Sequence, residues 1–210
     1  MKIAHMKYQA AIHWFRKGLR LHDNPALLAA CNHASKVYPI FFLDPEFAKP
    51  NEIGVNRYAF LLESLVDLDK SLKTKGSRLY VVLGNPQERF PDLIRELNID
   101  YITFESDTEP YALKRDMNIK NLAKKENVDV YSYASHTLHD MEQYCGINKG
   151  GEHPKTYQSF LKLFDSMPKP DDPFDSPATV CLQYAIYTVQ LYTVYIYSMH
   201  INSIYLTRLT

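Results

Sequence analysis

Glycine is scarce in this chain, and none of it is placed to hold phosphate. The seven glycines among 210 residues form neither G-x-G-x-x-G nor G-x-x-x-x-G-K-[ST], so a dinucleotide fingerprint or a P-loop has no support. Cysteine is equally sparse. Cys31, Cys145 and Cys181 lie too far apart in the chain to read as a disulfide framework, and they fit a reducing compartment. Net charge is also missing: 24 Lys and Arg balance 24 Asp and Glu, which removes the basic excess of most nucleic-acid-binding surfaces. No serine sits in a G-x-S-x-G elbow, and no Cys/His pair stands out as nucleophile and base. The N-terminus "MKIAHMKYQA" lacks the continuous apolar core of a signal peptide. These gaps leave a soluble intracellular protein as the expectation, at least through residue 175.

What the chain does have is a repeating rhythm. "AIHWF" (11–15) reads as a short apolar strand, and Pro25 opens a helix through Ala34. "VYPIFFLD" (37–44) is a near-continuous apolar run, as expected of a strand buried on both faces of a parallel sheet. The segment 54–76 then carries Leu61, Leu65, Leu68 and Leu72 at helical spacing, with Asp69 and Lys73 expected on its wet side. "RLYVVLG" (78–84) is a third strand. Asn85, Pro86 and Glu88 predict a capped helix that Pro91 splits. "YITFES" (101–106), a helix over 108–127 and "VDVYSYAS" (128–135) complete the pattern. The fold class is therefore α/β, a five-stranded, doubly wound, Rossmann-like parallel sheet.

After residue 135 the rhythm stops. An excursion ends in the Pro/Asp-rich stretch before Pro177, and the last 33 residues belong to another population. They hold six of the 16 tyrosines, and Arg208 is their sole Lys, Arg, Asp or Glu. Such an uncharged, β-prone, glycine-free run is an aggregation hazard when exposed, and a disordered or misfolded tail is expected. Gln183, Gln190, His200 and Asn202 make it a poor membrane span.

In an open α/β sheet, ligands bind beyond the carboxyl ends of the strands, near the switch point. The groups there are Arg16 to Asn24, Asp44 to Glu46 and Glu105 to Glu109, with Arg57 opening a helix beside the second set. Arg16 and Arg57 facing Asp44, Asp107 and Glu109 would make a cleft for a polar or aromatic ligand. Ordinary loop ion pairs would account for the same residues. "HTLHD" sets His136 and His139 three apart with Cys145 downstream, but zinc requires four ligands of defined geometry and this pattern alone does not make a metal site.

The opening stretch "HWFRKGLRLHDNPAL" closely resembles the start of the photolyase/cryptochrome family, in particular its animal (6-4) photolyase and cryptochrome branch. The resemblance continues through "FFLDPEF", "GVNRYAFLLESLVDLDKSL", "SRLYVVLGNP", "TFESDTEPYALKRD", "SHTLHD" and "KTYQSFLKLFDSMPKP", covering about residues 10–172. It implies an N-terminal extension over 1–9, the family's α/β domain over 10–140 and an interdomain linker segment over 141–177. The tail at 178–210 matches nothing in the family. The resemblance also implies that FAD belongs to a helical domain that would follow and is absent here, so a truncated, catalytically inert product is expected. A tryptophan electron-transfer chain is impossible with Trp14 alone. For the intact parent, the resemblance implies blue-light repair of (6-4) photoproducts in UV-damaged DNA. Cryptochrome signalling with clock proteins is the alternative for the parent, and a stand-alone partner-binding module is the alternative for this chain. Nucleus or cytoplasm is the implied location. Contacts to a deazaflavin-type antenna would fall on Arg16, Asp44, Arg57, Asp107 and Glu109. Folate-binding members carry an Asn-Glu pair where this chain reads Tyr111-Ala112, which puts a folate antenna in doubt.

Overall fold

A strand covered on both faces reads as a near-continuous apolar run, and the central strand β1 (Tyr8–Phe15) leaves one of its eight residues exposed. In the computed structural model, β1 pairs in parallel with β2 (Ala34–Leu43) on one side and with β4 (Tyr101–Glu105) on the other. Outside these, β3 (Tyr80–Leu83) pairs with β2 and β5 (Asp129–Tyr133) with β4. The parallel order is therefore β5-β4-β1-β2-β3. This is the expected doubly wound sheet, and the chain reverses direction across it at β1/β4, which opens a crevice at that point. The structure describes residues 7–44, 54–147 and 154–181, and the backbone of 191–195 and 205–208. Glu46 and the tail residues Gln183, Gln190, His200 and Asn202 lie outside them.

Four helices cover the two faces. α1 (Pro25–His33) and α2 (Val55–Thr74) bury Leu27, Ala30, Leu65, Leu68 and Leu72 against Ala11, Phe15, Val37 and Tyr101. α3 (Pro86–Leu97) and α4 (Pro110–Lys125) bury Phe90, Leu93, Ile94, Ile119 and Ala123 against Ile12, Trp14, Ile40, Phe42 and Phe104. Each helix begins on proline or follows glycine. Asn24 and Asn85 cap two of them through their side-chain oxygens.

Two local expectations are corrected. Pro91 does not split α3, which runs unbroken from Pro86 to Leu97. The hydrogen bond its missing N–H forgoes lies in the second turn, near an end whose donors are unpaired anyway. Asp69 is buried rather than wet, because it accepts from Arg78 Nε at 3.0 Å and from the Leu79 backbone N–H at 2.9 Å, fixing α2 to the start of β3. Two short strands are described within the tail. β6 (Leu191–Tyr195) runs antiparallel to β3, and β7 (Tyr205–Arg208) antiparallel to β6, making a seven-stranded sheet. The uncharged, β-prone composition that marks the tail as sticky also suits it to cap an open strand edge.

Beyond β5, α5 (Met141–Ile147) and α6 (Tyr157–Asp165) bury no residue fully, and meet through Tyr144 and Phe160. The chain then returns along the α/β unit as a strap. The Asp23 backbone N–H donates to the Phe174 carbonyl at 2.7 Å, Val180 N–H to the Lys75 carbonyl at 2.9 Å, and Val37 N–H to the Cys181 carbonyl at 2.8 Å. Val180 has no exposed surface and belongs to the α1–α2 cluster. Val180→Ala is expected to cost about 2 kcal/mol, the transfer of two buried methyl groups plus the cavity left behind. A lowered urea midpoint at unchanged slope is the check, and ending the chain at Pro177 should lower it further.

Candidate functional site

Trp14 is the penultimate residue of β1, and its indole faces α4 at the carboxyl end of the sheet. Two residues on, Arg16 turns back over it, with the guanidinium 5.1 Å from the Trp14 ring and 5.0 Å from Phe104. Arg115, from the second turn of α4, lies 4.8 Å from the same indole and 5.8 Å from Tyr111. Two guanidinium groups so close together need an anion between them. Asp116 supplies it, accepting from Arg16 Nη1 at 2.7 Å and from Arg115 Nη2 at 3.1 Å. Only 6% of the Arg16 side chain is exposed. Burial pulls its pKa down and the Asp116 carboxylate opposes this; a guanidinium in such a pairing stays charged.

A second acid–base group lies beside the first. Lys17 Nζ reaches Asp107 Oδ2 at 3.0 Å and Glu109 Oε1 at 2.9 Å, while Arg16 Nη2 stands 3.9 Å from Asp107. Burial works against the Asp107 carboxylate. Lys17, the Glu109 backbone N–H and Arg16 outweigh it and hold the pKa below the usual carboxylate range.

These groups border a cleft of about 190 Å³ between β1, β2 and the start of α4. Trp14, Phe41, Phe42, Leu61 and Tyr111 give it apolar walls; Arg16, Lys17, Asp44, Asp107, Glu109 and Arg115 give it polar ones. Four of the five residues singled out from the sequence thus meet in one place. Arg57 does not: it is exposed on the first turn of α2, and Leu61, one turn further along, lines the cleft instead. Sequence reasoning included Lys17 only as part of the Arg16–Asn24 loop, and passed over Arg115, Asp116 and the stacking role of Trp14. One available signal was that α4 starts directly after Glu109, so residues 112, 115 and 116 must face the strand ends within its first two turns.

On the opposite face of the sheet, His13 is fully enclosed. Asn24 Oδ1 accepts from Leu27 N–H at 2.9 Å, which turns the Asn24 amide nitrogen toward His13 Nε2 at 3.4 Å. Nε2 is then the acceptor, and Nδ1–H donates to Thr103 Oγ1 at 3.0 Å. This neutral tautomer joins β1, β4 and the cap of α1. Nearby, Ser135 Oγ donates to the buried Glu105 at 2.7 Å, and Arg20 Nη2 donates to the Ser135 carbonyl at 2.8 Å. The loop that begins at Arg16 therefore spends its charge on internal partners. His139 lies edge-on to Phe164 at 5.4 Å. Among the described residues no cluster of three His, Cys, Asp or Glu could hold a metal ion, and no helix is long and apolar enough to cross a membrane.

The chain is a doubly wound parallel sheet with an aromatic, ion-paired cleft at its strand ends, the place where open α/β sheets bind ligands. The comparisons give its family. The DNA photolyase family model matches residues 11–178. Cryptochrome-1 of Rattus norvegicus is 44% identical over 168 residues, 80% of this chain and 28% of that protein. Cryptochrome-2 of Gallus gallus is 45% identical over 79% of this chain and 28% of its own length. Among solved structures, a bacterial class III photolyase from Agrobacterium tumefaciens superposes with a TM-score of 0.76 at 29% identity, covering 88% of this chain and 38% of that one. An archaeal photolyase from Sulfolobus tokodaii, described with two FAD molecules and a novel light-harvesting cofactor, superposes at 0.66 and 26% identity over 83% of this chain and 38% of its own. The chain belongs to the DNA photolyase/cryptochrome family. It spans a little over a quarter of the length of these cryptochromes.

Two outcomes follow from this geometry. Asp116→Asn leaves two buried guanidinium groups facing a neutral amide and is expected to cost roughly 3–5 kcal/mol in urea unfolding. His13 has its pKa lowered by burial to about 3, against 6.5 for an exposed imidazole. Below pH 6.5 the unfolded chain binds a proton that the folded chain refuses, so stability falls with pH from there toward 3, by up to about 1.4 kcal/mol per unit. Urea midpoints of wild type and His13→Gln between pH 7 and 5 should show the wild-type slope flattened in the variant.

Proposed function

We propose that this chain is the antenna-holding α/β unit of a blue-light flavoprotein, and that its own contribution to light chemistry is the Trp14–Tyr111 cleft. The observation that carries this reading is the combination of flat aromatic walls with fixed charges of both signs at one strand-end crevice. A volume near 190 Å³ lies below the ~300–1,000 Å³ of sites for drug-sized ligands, so it suits a ring system rather than a whole dinucleotide. A heteroaromatic ring of the deazaflavin type would lie against Trp14, Phe42 and Tyr111. Asp44, Asp107 and Glu109 would accept from its hydroxyl and ring N–H groups, and Lys17 and Arg115 would face its carbonyls. Such a chromophore supplies absorption and energy transfer; the residues here bind it, orient it and keep water from one face. Tyr111 and Ala112 offer a folate ring no carboxamide or carboxylate, so the deazaflavin class is preferred.

For the intact protein we infer light-driven chemistry on FAD, held by residues outside this chain. Repair of (6-4) photoproducts in DNA is the reading carried over from the resemblance to the (6-4) photolyase and cryptochrome branch. A cryptochrome role, in nucleus or cytoplasm and with clock proteins as partners, is favoured by the 44–45% identity to animal cryptochromes. In either case the 210-residue chain alone is expected to be inert toward DNA lesions.

The test titrates the purified chain with 8-hydroxy-5-deazaflavin and follows its fluorescence. Saturable binding is expected, weakened roughly fivefold in Tyr111→Ala, the equivalent of about 1 kcal/mol of ring stacking. No binding would overturn the antenna reading. Flavin absorbance that stays with the chain through gel filtration, or blue-light repair of a (6-4) oligonucleotide by it, would overturn the placing of FAD elsewhere.

A further inference from the structure

Cys31 and Cys181 take no part in the cleft, yet one packs on the apolar cluster of the α1–α2 face and the other directly follows Val180, a buried member of it. Cys31 lies on the last turns of α1, partly buried against the apolar cluster of the α1–α2 face. Val180, wholly buried in that same cluster, carries its neighbour Cys181 to the spot. The Cys181 carbonyl is then held by Val37 N–H at 2.8 Å, and Val37 is another member of the cluster. The two residues differ in access: Cys181 is exposed and Cys31 is not.

We propose that Cys31 and Cys181 form a thiol pair that closes to a disulfide when the chain meets an oxidised low-molecular-weight disulfide of the glutathione type, locking the strap to α1. The exposed Cys181 thiolate attacks one sulfur of the small disulfide. The S–S bond breaks, one glutathione thiolate leaves, and a mixed disulfide stands on Cys181. The Cys31 sulfur, losing its proton to water, then attacks the Cys181 sulfur and expels the second glutathione. Two protein thiols are oxidised by two electrons, and one glutathione disulfide is reduced to two thiols. Access sets this order, and the electrostatics agree. Burial first, and the neighbouring Cys181 second, push the Cys31 thiol up to about 12, so Cys31 is the resolving and slower partner. A reducing compartment keeps the pair open, so the link responds to oxidant and is not part of a permanent framework.

Cys145, exposed on α5, serves as an internal control. The full chain is incubated with oxidised glutathione, remaining thiols are alkylated, and unreduced peptides are weighed. The expected product is a Cys31–Cys181 linked peptide two hydrogens lighter than its parts, while Cys145 stops at a glutathione adduct. Cys31→Ala should leave glutathione standing on Cys181. A wild-type Cys181 that keeps its adduct, or never reacts, would overturn the proposal. So would a linked peptide that forms equally well in denaturing urea.

Discussion

Asp116 accepts from two guanidinium groups at once, and the cleft depends on that shared anion. Arg16 comes from the end of the central strand and Arg115 from the helix laid across it. Without the carboxylate, two cations would meet over one indole, in a place where charges are poorly solvated. With it, α4 is clamped to β1 where the strand leaves the sheet, and Trp14 becomes a floor for both cations. The outer layer of Lys17, Asp107 and Glu109 can then remain partly wet, because the inner layer already sets the position of the backbone. Burying a shared ion triad gains little net stability, so its main effect here is on geometry.

The other face of the sheet solves the same problem without charge. His13 and Thr103 are register partners on β1 and β4, and Asn24 closes the network while capping α1. The result is a neutral polar chain in an apolar cluster, every link of which accounts for a donor or an acceptor. The loop between the two networks, Arg16 to Asp23, is held at both ends. This explains why so much charge follows the first strand: Arg16 serves the cleft and Arg20 serves the Asp23 and Ser135 carbonyls.

The five parallel strands were legible because period and burial agree. A run such as Ile40-Phe41-Phe42-Leu43 admits few readings besides a strand buried on both faces. Four of the cleft residues were legible because strand ends are where such sheets bind ligands. Asp69 was not, since a carboxylate at i,i+4 from a lysine looks wet until β3 delivers the Leu79 N–H to it. Arg57 was misplaced because the start of a helix gives no information on which way its first turn faces. Asp116 was hidden because its role needs two arginines, one of them a hundred residues away. The tail strands escaped because composition gives strand tendency but not a partner edge.

The strap has a consequence for biosynthesis. Val180 completes a cluster whose other members, from Tyr8 to Tyr101, leave the ribosome well before it does. At ~5–20 residues per second, the stretch between the end of β5 and Val180 occupies several seconds. Throughout that interval the nascent sheet exposes Val37 and its unbonded N–H, together with the open edge of β3. A nascent-chain chaperone that recognises apolar strand edges would find its window there; residues 180–181 would then cover Val37, and β6 would close the edge of β3.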